Sequence, residues 1–309
     1  GLLVLGFAGL LQARLPAYRS PLAFWSDTAA KAPDKPRPNY NLAVVQMRQG
    51  RLEKAVAGFR RVLALEPGNT DALLQLGDIA RDRGDYAAAQ GLYEQVLRRQ
   101  PKSGVVANRM AYLAIQTGRY DEAFALLAQF PQVSKDAGYY LNLAIYFSRT
   151  GQLDRAAAMY RQVLELEPHN PVAWTNLGNV YQRSGRPTQA GECYRRALSL
   201  EPNYHLAHFN LALLCARLGE LDRAQASLRT VLALNPGFAA AELELGNVLA
   251  SGRRYIQAEG HYRRFLERQP NHAEGWRRLG LVLDELGRTD EAAQCRKRAE
   301  RLDGPSPAR

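Results

Sequence analysis

Polar side chains that could bind a ligand recur in this sequence at intervals of 33 or 34 residues. The series comprises Asn41, Gln75, Arg109, Asn142, Asn176, Asn210, Glu244 and Arg278. An asparagine side chain carries both a hydrogen-bond donor and an acceptor, so it can pair with the N–H and C=O groups of an extended peptide. Stacked copies would hold such a peptide through its backbone, largely independently of its sequence. The alternative is that these asparagines belong to the repeating pattern itself and bind nothing.

Further polar and aromatic residues lie close to this series in the sequence. They are Asp78, Asn108, Tyr112, Thr175, Asn179, Phe209, Asn247 and Arg277. We expect them to extend the same binding surface. They do not reproduce the lysine–asparagine set of chaperone-tail carboxylate clamps, which disfavours that ligand class.

No pattern of catalytic residues accompanies these candidates. The sequence contains no phosphate-binding loop, GxGxxG, HExxH or GxSxG motif. His205 and His208, with His169, are the best metal candidates, but His208 stands where other repeats carry tryptophan, which favours a structural role. Asp82 and Asp85 flank a glycine turn, and we interpret them as solvated charges at helix ends. The sequence therefore predicts no catalytic site, no metal site, no cofactor and no small-molecule substrate.

Residues 171–204 define the element that carries these side chains. Trp174, Leu177, Gly178 and Tyr181 occupy places 4, 7, 8 and 11 of a 34-residue unit. Places 20, 24, 27 and 32 of the same unit hold Ala190, Tyr194, Ala197 and Pro202. This pattern resembles the tetratricopeptide repeat (TPR), a helix–turn–helix unit that stacks on copies of itself.

The resemblance extends over most of the chain. Eight repeats are expected at residues 36–69, 70–103, 104–136, 137–170, 171–204, 205–238, 239–272 and 273–306, named repeats 1 to 8 below. It implies an all-α fold, an α-solenoid of eight TPR repeats forming a right-handed superhelix, whose first helices line a concave groove. The recurring polar residue occupies place 6, which faces that groove, and resembles the asparagine ladder of the O-linked N-acetylglucosamine transferase TPR domain.

Small residues recur where the two helices of a repeat should cross. Place 20 is always alanine, and place 8 is filled by Ala43, Gly77, Ala111, Ala144, Gly178, Ala212, Gly246 and Gly280. A larger residue there should overpack the crossing. Glycine is expected to end nearly every first helix, shifted by one position at Gly252. Pro131 arrives early in repeat 3 and predicts a local kink there.

The chain is basic, with a net charge of +11 and a pI of about 9.7, which invites acidic partners. A basic stripe recurs on the second helices: Arg60, Arg61, Arg161, Arg195, Arg196, Arg229, Arg263, Arg264, Lys297 and Arg298. A solvated outer face is the favoured interpretation, with an anionic membrane or acidic partner as the alternative. Aromatic residues do not alternate with it, which disfavours nucleic acid. The three cysteines stand at helix-core places and are expected to be buried thiols, with one disulfide as the alternative.

The N-terminal residues suggest a membrane. Residues 1–13, GLLVLGFAGLLQA, are apolar but would rise only about 20 Å as a helix, too little for a core of about 30 Å. We expect the end of a transmembrane segment, with a signal-peptide segment or a capping helix as alternatives, followed by a linker or helix over 14–35. From Tyr18 to Ala43, on Trp25, Lys31, Pro33 and Pro36, the sequence resembles membrane-anchored TPR proteins with a multi-span glycosyltransferase-like region of the mannosyltransferase type.

These expectations lead to a protein–protein interaction scaffold that binds an extended peptide or a partner helix in its groove. The junction implies a membrane-anchored array, extracytoplasmic and periplasmic, although the basic residues around it would favour a cytoplasmic flank. One alternative is the non-catalytic, substrate-presenting part of a membrane glycosyltransferase; another is an assembly factor for exported polysaccharide or pili. Polar Arg296 and Glu300 in repeat 8 suggest the end of the array, with residues 305–309 as a tail.

Overall fold

The computed structural model describes residues 20–129 and 136–303, and all regular secondary structure in those ranges is α-helical. The chain divides into two compact bodies, residues 1–135 and 136–309, here called the N-terminal and C-terminal bodies. The expectations for the apolar segment 1–13, for a kink at Pro131 and for the tail 305–309 lie outside the described residues. Arg14, Tyr18 and Arg19 lie outside them too.

Helices follow one another with short turns in both bodies. In the N-terminal body they are α1 Pro21–Lys31, α2 Pro36–Arg48, α3 Leu52–Leu65, α4 Thr70–Asp82, α5 Tyr86–Arg99, α6 Gly104–Gln116 and α7 Tyr120–Gln129. In the C-terminal body they are α8 Ala137–Arg149, α9 Leu153–Leu166, α10 Pro171–Arg183, α11 Pro187–Leu200, α12 His205–Arg217, α13 Leu221–Leu234, α14 Ala239–Ser251, α15 Tyr255–Arg268, α16 Ala273–Glu285 and α17 Thr289–Asp303. From α2 onward, each even-numbered helix packs with the odd-numbered helix that follows it in the same repeat, and each pair packs on the next within its body. This confirms the prediction of an all-helical solenoid of stacked helix pairs.

Short polar side chains begin several of these helices. Asn69, Asp85 and Asn170 each accept a hydrogen bond from the backbone N–H three residues ahead, at 2.9 to 3.0 Å. Such caps satisfy N–H groups that lack a partner in the first turn of a helix. Asp85 therefore has the structural role expected for it, and Asp82 accepts from its neighbour Arg81.

The turn inside each repeat requires a left-handed backbone. Seven first helices end at a glycine with φ between 71° and 80°, from Gly50 to Gly287. Repeat 7 is different, because Gly252 has φ −83° and the left-handed residue is Arg253, at φ 57°. The sequence offers glycine one position too early, so a residue with a Cβ atom adopts the conformation that glycine takes elsewhere.

We predict that Arg253→Gly stabilises the protein. An L-residue in the left-handed region costs roughly 1–2 kcal/mol, so the free energy of unfolding should rise by about 1 kcal/mol. The reciprocal exchange Gly287→Arg should lower it by a similar amount, since a Cβ atom there has nothing within 4 Å and only the backbone is strained. Urea denaturation followed by circular dichroism measures both, and equal stability of all three proteins would contradict the assignment.

Tyrosine rings fill the crossing between the two helices of several repeats. Tyr93, Tyr194 and Tyr262 are almost fully buried at place 24, and each ring lies over a glycine at place 8. A Cβ atom built on Gly77, Gly178 or Gly246 would lie 2.4 to 2.6 Å from the tyrosine Cε1. Where place 24 holds Phe59, Leu127 or Leu228, place 8 is alanine, and repeat 4 combines Tyr160 with Ala144. This confirms that small residues at place 8 permit the crossing.

We predict opposite effects for two glycine substitutions within repeat 7. Gly246→Ala should cost on the order of 1–3 kcal/mol, because the new methyl group overlaps the Tyr262 ring. Gly260→Ala should gain about 0.5–1 kcal/mol, since its Cβ atom meets only the Arg264 Nη1 atom, at 3.7 Å, and the helix becomes stiffer. Thermal denaturation compares them, and a neutral Gly246→Ala would show that the ring moves aside without cost.

Arginine side chains tie consecutive repeats together within the C-terminal body. Each extends from the start of a second helix to the second helix before it: Arg186 to Asp154 at 2.7 Å, Arg254 to Asp222 at 3.1 Å, and Arg288 to Glu259 at 2.8 Å. Solvent-exposed ion pairs contribute little to stability. Their regular recurrence nevertheless shows that successive repeats of this body stack in the same register.

Candidate functional site

The first helices of the C-terminal body lie side by side and share one face. Contacts join α10 to α12, α12 to α14, and α14 to α16, and a hydrogen bond of 2.8 Å from Arg183 Nη1 to Ser148 Oγ joins α10 to α8. Places 2, 6, 9 and 13 of a helix fall on one side, since they are three or four residues apart. We call the surface formed by these places on α8, α10, α12, α14 and α16 the groove face.

The asparagines of the series differ in accessibility. Asn176 and Asn210 are half-buried on the groove face, and within the described ranges neither side-chain amide has a hydrogen-bond partner. Asn142 is buried, with 5% of its surface exposed. In repeats 7 and 8 the polar groups bind to one another: Glu244 accepts from Asn247 at 3.2 Å, and Arg278 donates to Glu274 at 2.7 Å.

Place 9 residues hold the buried tyrosines. The Tyr194 hydroxyl donates to Asn179 Oδ1, and the Tyr262 hydroxyl donates to Asn247 Oδ1, both at 2.8 Å. Burial raises the pKa of Tyr262 to about 12, so it stays a donor at neutral pH. The candidates Asn179 and Asn247 thus connect the core to the groove face. The signal was available in the sequence, since glycine at place 8, tyrosine at place 24 and a polar acceptor at place 9 occur together.

In the N-terminal body the corresponding residues form a closed network around Asp78. Its carboxylate accepts from the Tyr93 hydroxyl at 2.7 Å and from Arg109 at 2.8 and 3.0 Å, and it pairs with Arg81 at 3.1 Å. Arg81 also lies 5.7 Å from the centre of the Tyr112 ring, in a cation–π contact. Arg109 and Asp78 therefore satisfy each other before any ligand arrives.

The remaining candidates of this body lie on its first helices as well. Gln75 is half-buried. Asn41 and Asn108 are half-buried. The polar side chains on the first helices of this body therefore form more hydrogen bonds and ion pairs within the protein than Asn176 and Asn210 of repeats 5 and 6 do.

We predict that Asp78→Ala destabilises the protein by about 2–3 kcal/mol, because it leaves the Tyr93 hydroxyl and the Arg109 guanidinium without their acceptor. Asp82→Ala is the matched control on the same helix. Its side chain is 67% exposed, and its loss should change the free energy of unfolding by less than about 0.5 kcal/mol. Similar midpoints of urea denaturation for the two variants would refute the network.

Place 5 residues depart from the expected groove. Thr175 is buried, and its hydroxyl donates to the Pro171 carbonyl oxygen at 2.8 Å. Phe209 packs edge-to-face on Phe238, with ring centres 5.1 Å apart. Place 5 is rotated by about 100° from place 6 on a helix of 3.6 residues per turn, so it faces a neighbouring helix. Thr175 and Phe209 are therefore packing residues, while Arg277 pairs with Glu274 and Asp303 at the protein surface.

His205 and His208 contact the linkers between repeats. His208 Nε2 lies 2.8 Å from the Pro202 carbonyl oxygen. Trp174 and Trp276 donate their indole N–H groups in the same way, to proline carbonyls six residues earlier at 3.0 and 2.9 Å. His205 packs against Phe238. In repeats 5, 6 and 8, the side chain at place 4 therefore satisfies a linker carbonyl. Residues 20–129 and 136–303 contain no cluster of three potential metal ligands.

The basic stripe on the second helices is partly neutralised. Arg263 pairs with Glu259 and Glu291, and Arg264 pairs with buried Glu242. Two cavities of about 500 and 400 Å³ open between consecutive second helices, over Trp174 and Trp276.

Cysteines at equivalent places line these two cavities: Cys193 in the first and Cys295 in the second. Both of them and Cys215 are buried free thiols, as predicted. Burial raises the pKa of Cys193 to about 12, which leaves it unreactive at neutral pH.

Comparison with known families agrees with this architecture. Models described as "Tetratricopeptide repeat" match residues 23–72, 80–144 and 171–204, and a "TPR repeat" model matches 144–185. The "Cilia and flagella-associated protein 70 middle TPR-like domain" model matches 203–303. The chain is a tetratricopeptide repeat protein.

Its relatives are similar over limited stretches. Mouse (Mus musculus) "Tetratricopeptide repeat protein 21A" is 28% identical over 143 residues, which is 45% of this chain and 11% of that protein. The chain spans about a tenth of the length of the first curated relatives that it matches.

Solved structures show the same fold. The crystal structure of MamA protein is 25% identical, with a TM-score of 0.50 over 54% of this chain and 91% of that one. The human IFIT1 dimer with m7Gppp-AAAA has a TM-score of 0.65 at 16% identity, over 96% of this chain and 80% of that one. Among the described helices of this chain, none is both long and apolar enough to cross a membrane.

Proposed function

We propose that this protein is an interaction scaffold that binds an extended polypeptide segment on the groove face. The observation that carries the proposal is the pair Asn176 and Asn210, whose amide groups recur on adjacent first helices without partners in the described structure. Each amide can donate to a backbone carbonyl and accept from a backbone N–H. The repeat fold points to a non-catalytic role, as protein-binding scaffolds are what TPR arrays typically form.

The spacing of the first helices suits an extended chain. Packed helices lie about 8–10 Å apart, and an extended chain advances about 3.3 Å per residue, so three residues of ligand span one repeat. A partner helix rises only about 1.5 Å per residue and buries its own backbone groups, so it would leave the asparagines without partners. An extended segment is therefore the better ligand, because its backbone groups are free to form hydrogen bonds with these amides.

A second candidate function follows from the N-terminal sequence. The apolar residues 1–13 and the junction from Tyr18 to Ala43 support a membrane-tethered array, here proposed to be periplasmic. In that setting the groove face would present acceptor polypeptide to a glycosyltransferase region encoded before residue 1. Several hydrophobic spans upstream in the open reading frame would favour this candidate, and their absence would remove it.

We predict that Asn176→Ala with Asn210→Ala weakens peptide binding about tenfold while leaving the melting temperature nearly unchanged, because each amide contributes about 0.5–1.5 kcal/mol and is half-buried. Peptides would first be selected from a random library on the wild-type protein. Their dissociation constants would then be measured by fluorescence anisotropy. Asn142 is left intact because it is buried.

The matched control replaces Gln162, Ser199 and Thr230 by alanine. These polar side chains lie on second helices and form only local hydrogen bonds. They should not affect the selected peptides. If the peptides bind the asparagine variant as tightly as the wild-type protein, the groove face is not the binding site and the proposed function fails.

A further inference from the structure

A row of arginines shares the groove face with the asparagines. Arg149, Arg183 and Arg217 stand at place 13 of repeats 4, 5 and 6, each seven residues after an asparagine of the series. Seven residues are two turns of helix, so both rows lie on the same side of α8, α10 and α12. These arginines are absent from the candidates that the sequence patterns suggested.

The contacts of these arginines place them beside the tips of the buried tyrosines. Arg183 reaches across to Ser148 on the preceding first helix, at 2.8 Å. Burial raises the pKa of Tyr160, and the positive charges of Arg149 and Arg183 oppose that rise. Arg217 has the same effect on Tyr194, whose hydroxyl meets Asn179 at place 9. The arginine row therefore lines the groove face next to place 9.

The positive charge of this row is not neutralised by the protein. All three side chains are exposed, and within the described residues no carboxylate forms an ion pair with any of them. Several other arginines of the first helices are paired, as Arg109 is with Asp78 and Arg278 is with Glu274. Repeats 7 and 8 carry Ser251 and Glu285 at place 13. Within the C-terminal body, unpaired arginines at place 13 are thus confined to repeats 4 to 6, which also carry Asn142, Asn176 and Asn210 of the series.

Apolar side chains complete the surface at the opposite end of the helices. Val172 is 45% exposed and Leu206 is 38% exposed, both at place 2. From place 2 to place 13 along the first helices of repeats 5 and 6, the groove face therefore presents apolar side chains, then asparagine amides, then arginine guanidinium groups. A ligand that fits all three has apolar side chains on one edge, a backbone free to form hydrogen bonds, and negative charges on the other edge.

We propose that the groove face of repeats 4 to 6 binds an extended polypeptide segment that carries an acidic side chain at every third residue. The inference rests on the proposed function and names the class of its ligand. A polyproline-type chain has three residues per turn and a rise of about 3.1 Å, so its equivalent side chains recur every 9 Å or so, close to the separation of about 8–10 Å between packed helices. Arginine suits a carboxylate because its fork of N–H groups can donate two parallel hydrogen bonds.

Single-stranded nucleic acid is the competing anionic ligand, and the groove face of these repeats favours the peptide. Binding of single strands generally uses aromatic side chains on which bases stack. Places 2, 6, 9 and 13 of repeats 4 to 6 carry glycine, aliphatic, asparagine and arginine residues, with no aromatic residue at these described positions.

The test uses fluorescent peptides of about ten residues, which span about 30 Å as a polyproline-type chain. One peptide carries glutamate at every third position, with serine and valine between. The second replaces each glutamate by glutamine, and the third has the same composition with its glutamates adjacent. We expect the first peptide to bind the full chain at least about tenfold more tightly than either of the others, and to weaken with added salt.

The variant Arg149→Gln, Arg183→Gln, Arg217→Gln should lose about tenfold in affinity for the glutamate peptide. The matched control Arg161→Gln, Arg195→Gln, Arg229→Gln removes the same charge from the same repeats, at exposed places on the second helices. It should bind nearly as the wild-type protein does. Equal losses for the two variants would mean that net charge alone attracts the peptide, and would overturn the inference.

The asparagine variant separates this inference from the proposed function. If Asn176→Ala with Asn210→Ala loses library-selected peptides while the groove-face arginine variant retains the glutamate peptide, the acidic specificity is wrong and the scaffold function stands. If neither variant affects any peptide, both proposals fail. Binding of a single-stranded oligoadenylate that depends on the same arginines, without binding of the glutamate peptide, would overturn the inference in favour of nucleic acid.

Discussion

The close crossing of two helices in a repeat is the constraint on which the rest of this structure depends. In repeats 2, 5 and 7, a tyrosine ring of the second helix lies 2.4 to 2.6 Å from where a Cβ atom would stand on the glycine at place 8, so a larger residue at that glycine would require the ring to move. The hydroxyl group of the same tyrosine donates a hydrogen bond to an acceptor at place 9 of the first helix. One contact therefore sets the packing of a repeat and orients a polar side chain toward the groove face.

Weaker contacts between consecutive repeats add to this packing within each repeat. Side chains at place 4 satisfy the carbonyl groups of the linker prolines, whether they are tryptophan, histidine or, as in Asn39, an amide. Arginines at the start of second helices reach the repeat before them. Each interaction is worth little alone, since most are exposed. At each joint of the C-terminal body at least one of these two interactions is present, and together they keep equivalent places of successive repeats aligned in rows.

The two bodies use the same places differently. In the N-terminal body, Asp78 joins Tyr93, Arg81 and Arg109 in one network of hydrogen bonds and ion pairs. In repeats 4 to 6 of the C-terminal body, the acceptors at place 9 are asparagine or absent, and the arginines of place 13 keep their charge. An internal carboxylate decides between the two outcomes, because a paired arginine has satisfied its donors and has less to offer a ligand.

The sequence by itself determined the architecture of this protein. Place 20 is alanine throughout and place 8 is always small, and only one helical arrangement uses that spacing, so the helix pairs and the buried cysteines follow from local packing. The position of the left-handed turn in repeat 7 did not follow. Gly252 suggests one residue and the backbone uses Arg253, since helix length is set by packing against the neighbouring helix.

Only the tertiary structure decided which polar residues lie on the groove face. Asn176 and Thr175 are adjacent in sequence, yet one lies on the groove face and the other bonds its own helix in the interior. Arg109 and Arg183 both lie on first helices, yet one meets a carboxylate 31 residues away and the other a serine. Hydrogen bonds and ion pairs between repeats join residues that are distant along the chain, so their formation depends on how the helices stack rather than on local spacing.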